Sequence, residues 1–226
     1  MLERVVGQKS QAKRALSVLR EMVVTNQLPP GSTHLEVELA EMLGMSRTPV
    51  REAAIILESH GLVEMRPRRG MRVLPINPTD MREIYEVLTA LEPLAAASLA
   101  TRGLTAEEDA AFEGDLSDMD DALAGEEDRN AWAVADEAFH RRLVTAAGNS
   151  RVITFTRHVA DQVQRARMLT LRLRPAPHDS NADHRALVDA IRARDPLRAE
   201  ELHRTHRRVS GERLIALIEA HGLGPV

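Results

Sequence analysis

The sequence predicts a mostly α chain of two domains, residues 1–75 and 76–226, the first of which also carries a small β-hairpin. Three observations predict it. Ala, Leu, Arg and Glu, all good helix formers, dominate the 226 residues, and only 2% are aromatic. The net charge of −4 is unevenly placed: residues 1–74 carry 11 Lys+Arg against 8 Asp+Glu, the remainder 19 against 26. All five aromatics, Tyr85, Phe112, Trp132, Phe139 and Phe155, fall after that divide, which Pro75 and Pro78 mark. Cysteine is absent, which excludes thiolate chemistry, zinc-finger thiolate sites and disulfides and fits a reducing cytoplasm. The N-terminal MLERVVGQKS has no apolar segment, and no run approaches about 18 apolar residues, so neither export nor a membrane partner is expected.

In the first domain Ala12, Ala15, Leu16, Leu19, Met22 and Val23 recur at helical spacing and stop before Leu28-Pro29-Pro30-Gly31, a helix and then a turn. A short second helix is expected over 36–43, with Leu39, Ala40 and Leu43 on one face and Gly44 just past its end. Ser46 is placed to cap a third helix whose Val50, Ala53, Ala54 and Leu57 point inward and which ends at His60-Gly61. Two strands, 62–65 and 71–74, flank the basic turn Arg66-Pro67-Arg68-Arg69-Gly70. This order composes a winged helix-turn-helix. Arg47, Thr48 and Arg51 occupy the first turns of its third helix, where side chains reach base edges in the major groove and the helix's positive end faces phosphate. Arg68 and Arg69 at the hairpin tip suit the negative potential of the adjacent minor groove. The plainer alternative is a solvated basic face on a small structural domain; the whole arrangement favours duplex DNA.

The stretch PPGSTHLEVELAEMLGMSRTPVREAAIILESHGLVEMRPRRGMRVLP resembles the N-terminal domain of the GntR family of bacterial transcription regulators, with SRTPVREA as the recognition-helix signature and RPRRGMRV as the wing. The resemblance covers residues 10–75 and implies base and phosphate contacts from Arg47, Thr48 and Arg51, with Arg69 and Gly70 as the wing tip. Leu35 departs from it, standing where similar sequences place a Ser that caps the second helix, a loss of about 1 kcal/mol if nothing else caps it.

From residue 78 onward the patterns are helical throughout. They predict an antiparallel all-α bundle of six helices, 78–101, 105–124, 127–147, 150–174, 180–194 and 196–220, broken at Gly103, Gly125, Gly148-Asn149 and Pro175-Ala176-Pro177. Three of them place polar residues on core-facing stripes. Asp136 and His140, an i, i+4 pair, share a stripe with Trp132, Phe139 and Leu143; His184 shares one with Leu187, Val188 and Ile191; His206 falls between Leu202 and Val209. A single buried His is ordinarily a hydrogen-bonded core residue. Four convergent groups, three neutral imidazoles and a carboxylate, make a nitrogen/oxygen set for a divalent cation.

DEAFHRRLVTAAGNSRV followed by DHRALVDAIRARDPLRAEELHRTH resembles the helical effector-binding domain of the FadR-type GntR subfamily, in the version with an Asp-x-x-x-His, His, His metal site. The resemblance implies Asp136, His140, His184 and His206 as ligands, zinc as the expected metal with nickel or manganese as alternatives, and a homodimer joined through the helical domain. His203 aligns with a usually apolar position and is left outside the set; His34, His60, His158, His178 and His221 are assigned to surface or capping positions. Similar sequences carry an Arg, in a segment like EVRxxLE, that holds the effector carboxylate; here the segment is EVLTALE and Leu88 takes that place. Either another arginine, such as Arg82 or Arg165, covers the same space, or the effector is uncharged or held by the metal.

The expected protein is a DNA-binding transcription regulator, a repressor, that binds a palindromic operator as a homodimer and answers to a small metabolite, an organic acid among the candidates, at the metal. A metal-dependent hydrolase is the rival. It is disfavoured because the inward stripes carry no separate general base and the chain has no HExxH, phosphate loop or GxSxG. A purely structural metal, and a metal that is itself the signal, are further alternatives.

Overall fold

The computed structural model describes residues 2–224, which divide into two compact units at Ile76 and Asn77. The first contains α1 (Leu2–Val24), β1 (Thr33–His34), α2 (Glu36–Leu43), α3 (Arg47–Ser59), β2 (Val63–Arg66) and β3 (Gly70–Val73). Ala15, Leu19 and Val23 from α1 close over Leu39 and Ala40 of α2, Val50, Ala53, Ala54 and Leu57 of α3, and Val63, Met71 and Val73 of the sheet. Each fully buried Leu or Val here contributes roughly 1.5–3 kcal/mol of burial free energy. The turn between α2 and α3 is set by Gly44, whose φ of 61° lets its amide reach back to close the helix. Leu35 is the N-cap of α2 and offers no side-chain acceptor, but the Glu38 carboxylate accepts the Leu35 amide at 2.9 Å, so half of a capping box survives. Ser46 has the extended backbone of an N-cap without a side-chain cap hydrogen bond.

The expected two-stranded hairpin is a three-stranded antiparallel sheet in the order β1-β3-β2, and its strands are 63–66 and 70–73 instead of 62–65 and 71–74. Pairing runs Val63↔Val73 to Arg66↔Gly70, and Thr33↔Arg72 with His34↔Met71 on the other edge. Two residues cannot show a period-2 pattern, which is why β1 left no trace in the sequence. Gly70 makes the pairing possible. Its φ is +79°, and a Cβ there would sit 2.2 Å from the His34 carbonyl oxygen.

The second unit contains α4 (Pro78–Arg102), α5 (Ala106–Ala122), α6 (Arg129–Ala147), α7 (Ser150–Thr170), a 3₁₀ turn (Leu171–Leu173), α8 (His178–Arg192) and α9 (Pro196–Ala220). Its core joins Ala96, Leu99 and Ala100 of α4, Phe112, Leu116 and Met119 of α5, Trp132, Phe139 and Leu143 of α6, and Leu187, Val188 and Ile191 of α8. Phe112 and Phe139 meet edge-on, 5.5 Å between centroids. Pro93 lies inside α4 and cannot donate to the carbonyl of Thr89; Arg204 Nη1 from α9 donates to that carbonyl instead, at 3.2 Å. The α7 helix ends earlier than its periodicity suggests, because Pro175 and Pro177 come next and the residue before a proline avoids the α region; Arg174 is extended, φ −133° and ψ 162°.

Candidate functional site

In the first unit, Arg47, Thr48 and Arg51 are exposed on the N-terminal turns of α3, and Arg68 and Arg69 are exposed on the turn of the wing, where Arg68 has a φ of 63°. An open groove of about 460 Å³ runs between these two elements, lined by Arg47, Arg51, Arg66, Arg68 and Gly70 together with Glu36. Glu36 is the residue that the sequence did not single out. Its largely shielded carboxylate lies 3.4 Å from Arg47 Nη2 and 3.8 Å from Arg51 Nε, while both arginine side chains remain about two-thirds exposed. Such exposed pairs are worth under about 1 kcal/mol and give way readily to a phosphate. Gly70 contributes through its backbone, by letting the wing close on β1.

In the second unit, α6, α8 and α9 bring Asp136, His140, His184 and His206 together, each 5% exposed or less. His140 Nε2 and His184 Nε2 are 3.3 Å apart. That is about the edge of a tetrahedron with metal–nitrogen bonds of ~2.05 Å. Asp136 faces the same point, its Oδ2 3.7 Å from His140 Nε2 and its Oδ1 3.7 Å from His184 Nε2. His206 supplies a third nitrogen: one ring nitrogen each from His140, His184 and His206 lies within 4.8 Å of the other two. His206 is held from the other side of the ring, where Nδ1 meets Asp183 Oδ2 at 3.1 Å, and its Nε2 is buried without a hydrogen-bond partner. A buried unpartnered nitrogen beside two others and a carboxylate fits a cation better than a closed hydrogen-bonded core. Burial drives the His140 pKa down to about 3 and holds His184 well below its usual value, so both rings present lone pairs at neutral pH.

Four residues absent from the sequence-based set complete the neighbourhood, and Glu92 joins two of them, His203 and Arg207. Glu92 of α4, buried, lies 3.3 Å from His140 Nδ1 and accepts from His203 Nε2 at 2.8 Å. Arg207 clamps the same carboxylate with Nε at 2.7 Å and Nη2 at 2.5 Å. Burial opposes ionisation of Glu92, yet the Arg207 guanidinium and the His140 and His203 rings together outweigh it and keep the group well below the usual carboxylate range. His203, 1% exposed, is a full member of the cluster, against the expectation that left it out; burial lowers its pKa to about 4. The inner face of α9 runs through Ala199, His203, His206 and Arg207, whereas Leu202 is half-buried and Val209 is exposed. Glu92, His140 and His203 also lie close enough to hold a cation, but the bidentate Arg207 already neutralises that carboxylate.

The fourth residue is Arg167 of α7, whose Nη1 touches Asp136 Oδ2. Burial raises the Asp136 pKa, and Arg167, His140, His206 and Arg207 together more than offset that, leaving it below its ordinary value. A narrow cleft opens from Asp136 and His206, lined by Arg167, Arg174, Trp132, Tyr85, Thr170, Ser180 and Ser210. Leu88 is buried and is not part of its lining, and Arg82 is paired with Glu219 at 2.7 Å on the surface. The cationic lining therefore comes from α7 and the segment after it.

Comparison with known proteins agrees with both units. Residues 11–73 match the model of the bacterial regulatory proteins of the gntR family, and residues 83–209 match the FCD domain. The chain is 40% identical over 145 residues, 63% of its length and 84% of the relative's, to an HTH-type transcriptional regulator from the TAR-I ttuE-ttuC' intergenic region of Agrobacterium vitis. It is 34% identical to a probable D-xylose utilization operon transcriptional repressor of Paenarthrobacter nicotinovorans, over 79% of this chain and 77% of that one. The solved structure of E. coli McbR/YncC shares the fold, with a TM-score of 0.78 at 20% identity over 93% of this chain and 98% of the other. Among the described residues no helix is long and apolar enough to cross a membrane. The chain belongs to the GntR family of bacterial regulatory proteins, with an FCD domain following its helix-turn-helix, and is a regulator of transcription.

Proposed function

We propose that the protein is a homodimeric repressor in the bacterial cytoplasm whose hold on a palindromic operator is set by a small metabolite bound at a divalent cation, zinc first among the candidates, in the helical domain. The observation that carries the metal is the convergence of three imidazole nitrogens and the Asp136 carboxylate, with His206 Nε2 left buried and unpartnered. Asp136, His140, His184 and His206 would hold the cation, which when bound offers an open coordination position to an oxygen-bearing ligand. Asp183 orients His206, and Glu92 faces the far nitrogen of His140, so in these two rings the second nitrogen is matched to a carboxylate.

On the DNA side Arg47, Thr48 and Arg51 read the major groove while Arg69, on a wing closed by Gly70, reaches the neighbouring minor groove. One such head makes few base contacts, and two on a palindrome double them, which is the argument for a homodimer. Repression follows the name of the D-xylose relative. Control of DNA binding requires that the metabolite bind the DNA-competent and incompetent states with different affinity. The test is operator binding by gel shift with metal-stripped protein, zinc-loaded protein, and zinc-loaded protein with candidate metabolites, alongside elemental analysis. One divalent ion per chain and a metabolite-dependent change in affinity support the reading. Absence of a stoichiometric ion, with no rise in melting temperature on adding zinc, nickel or manganese, overturns the metal assignment.

A further inference from the structure

We propose that Asn181 is a positioning residue for the cation site: through a hydrogen-bonded chain from Trp132 to Asp120 it fixes the start of α8, and so sets where the His184 ring stands. The inference rests on the metal reading above and adds to it the group that places a ligand ring with no carboxylate behind it.

The need for such a group comes from His184 itself. Behind His140 stands Glu92, 3.3 Å from Nδ1, and behind His206 stands Asp183, 3.1 Å from Nδ1. The Nδ1 of His184 is buried with no hydrogen-bond partner among the described residues, and its ring packs against Phe139, 4.4 Å between centroids. A ring contact fills space but does not aim a nitrogen, so the aim of His184 is inherited from the backbone of α8. That backbone has no firm start of its own. Its helix follows Pro175-Ala176-Pro177, and Pro177 at the N-cap offers no side-chain hydrogen bond.

Asn181, buried and one turn before His184, supplies the anchor. Its Oδ1 accepts from Trp132 Nε1 at 2.7 Å, and its Nδ2 donates to Asp120 Oδ1 at 2.8 Å. Arg185 Nη2 closes the chain by donating to Asp120 Oδ2 at 2.7 Å. An indole can only donate and a carboxylate can only accept, so the amide between them is held in one sense. Trp132 stands one turn before Asp136 on α6. The Trp132–Asn181 bond and the 3.7 Å approach of Asp136 Oδ1 to His184 Nε2 are therefore successive rungs between the same two helices, and a shift at the first displaces the second. The chain also ties α8 to α5, with Trp132 fully buried at one end and Asp120 half-exposed at the other. A polar chain whose members are all satisfied holds the elements it joins in a single arrangement.

The experiment uses the full chain, metal-stripped and titrated with zinc against a competing chelator, with the visible spectrum of the cobalt-loaded protein as a second readout. Asn181→Asp sets two carboxylates where a donor met an acceptor, and should weaken zinc binding about tenfold or more. The double variant Asn181→Asp, Asp120→Asn restores the chain with its middle hydrogen bond reversed, the new carboxylate accepting from Trp132 and the new amide oxygen accepting from Arg185. It should return zinc affinity to within about threefold of wild type. The cobalt spectrum should change in Asn181→Asp and revert in the double variant, whereas a residue that merely supports the fold would lower the denaturation midpoint and leave the spectrum of bound cobalt unaltered. Trp132, the only tryptophan, reports the chain itself: its emission in metal-stripped protein should shift in Asn181→Asp and revert in the double variant. Asp120→Ala, at the exposed end, should weaken zinc binding about threefold or more and keeps the test open if Asn181→Asp fails to fold. Wild-type zinc affinity with an unchanged cobalt spectrum in either single variant, or a double variant as weak as Asn181→Asp, overturns this inference while the metal reading stands. Failure of the wild type to bind zinc overturns both.

Discussion

Glu92→Gln should separate the stability of the helical domain from its metal affinity. Glu92 and Arg207 are both about 3% exposed and joined by two hydrogen bonds of 2.7 and 2.5 Å. Removing one charge of such a pair strands the other, a cost of about 3–5 kcal/mol. The same change neutralises the carboxylate 3.3 Å from His140 Nδ1, which should weaken zinc binding by about 10- to 100-fold. The double variant Glu92→Met, Arg207→Met replaces the pair by apolar groups and should recover most of the stability, since a buried ion pair is often no better than an apolar pair of similar size. It should not recover zinc affinity. The assay is urea denaturation of metal-stripped protein, followed by competitive zinc titration of each variant. The reasoning is refuted if Glu92→Gln unfolds within about 1 kcal/mol of wild type, or if the double variant regains wild-type zinc affinity.

Three further outcomes are expected. Arg51→Ala should cost about 1–3 kcal/mol of operator binding per half-site, whereas Glu36→Gln should strengthen DNA binding of any sequence by freeing Arg47 and Arg51; gel shifts at fixed salt that show no change in either variant would remove both residues from the interface. Gly70→Ala meets a positive φ of 79° and a carbonyl oxygen at 2.2 Å, so it should part β1 from β3 and destabilise the first unit by more than the ~1–2 kcal/mol of the backbone conformation alone, read by chemical unfolding; wild-type stability would contradict the register described. Metal-stripped protein should lose stability on acidification. His140, His184 and His203 are neutral in the fold because their pKa values are depressed, while the unfolded chain takes up protons near pH 6.5, so their contribution is intact above that value and falls below it. The loss is about 4 kcal/mol between pH 7.5 and 5.5 for the three together, and denaturation midpoints that stay flat over that range would contradict their neutral burial.

How much of the molecule is legible in its sequence depends on the range of the interaction. The second helix at 36–43 and the Asp136, His140 pair are local patterns, fixed by one turn of helix or by a glycine at its end, and the structure has both. Glu92 has no such signature. It sits in an ordinary-looking Leu-Glu step, and its partner Arg207 is 115 residues away. His203 had a legible signal, the 199, 203, 206 spacing of one helical face, obscured by the apolar residue its position carries in similar sequences. Arg167 shares a helix with Arg165 and has no local feature to mark it as the one that meets Asp136; only the packing of α7 against α6 selects it.

Pro93 has a consequence for how any signal crosses the helical domain. The main-chain hydrogen bond that α4 gives up is remade by a side chain of α9, and two turns further along α9 the absent Cβ of Gly211 leaves room for the Tyr85 ring, which a methyl group there would approach to 2.6 Å. A glide of α9 along α4 by one residue would orphan the Thr89 carbonyl and drive a side chain into that ring at the same moment. The pair is therefore indexed, like a key in a slot. Motion of α9 on ligand binding must take the form of tilt or of concerted movement with α4, which makes the angle between these two helices the quantity to follow.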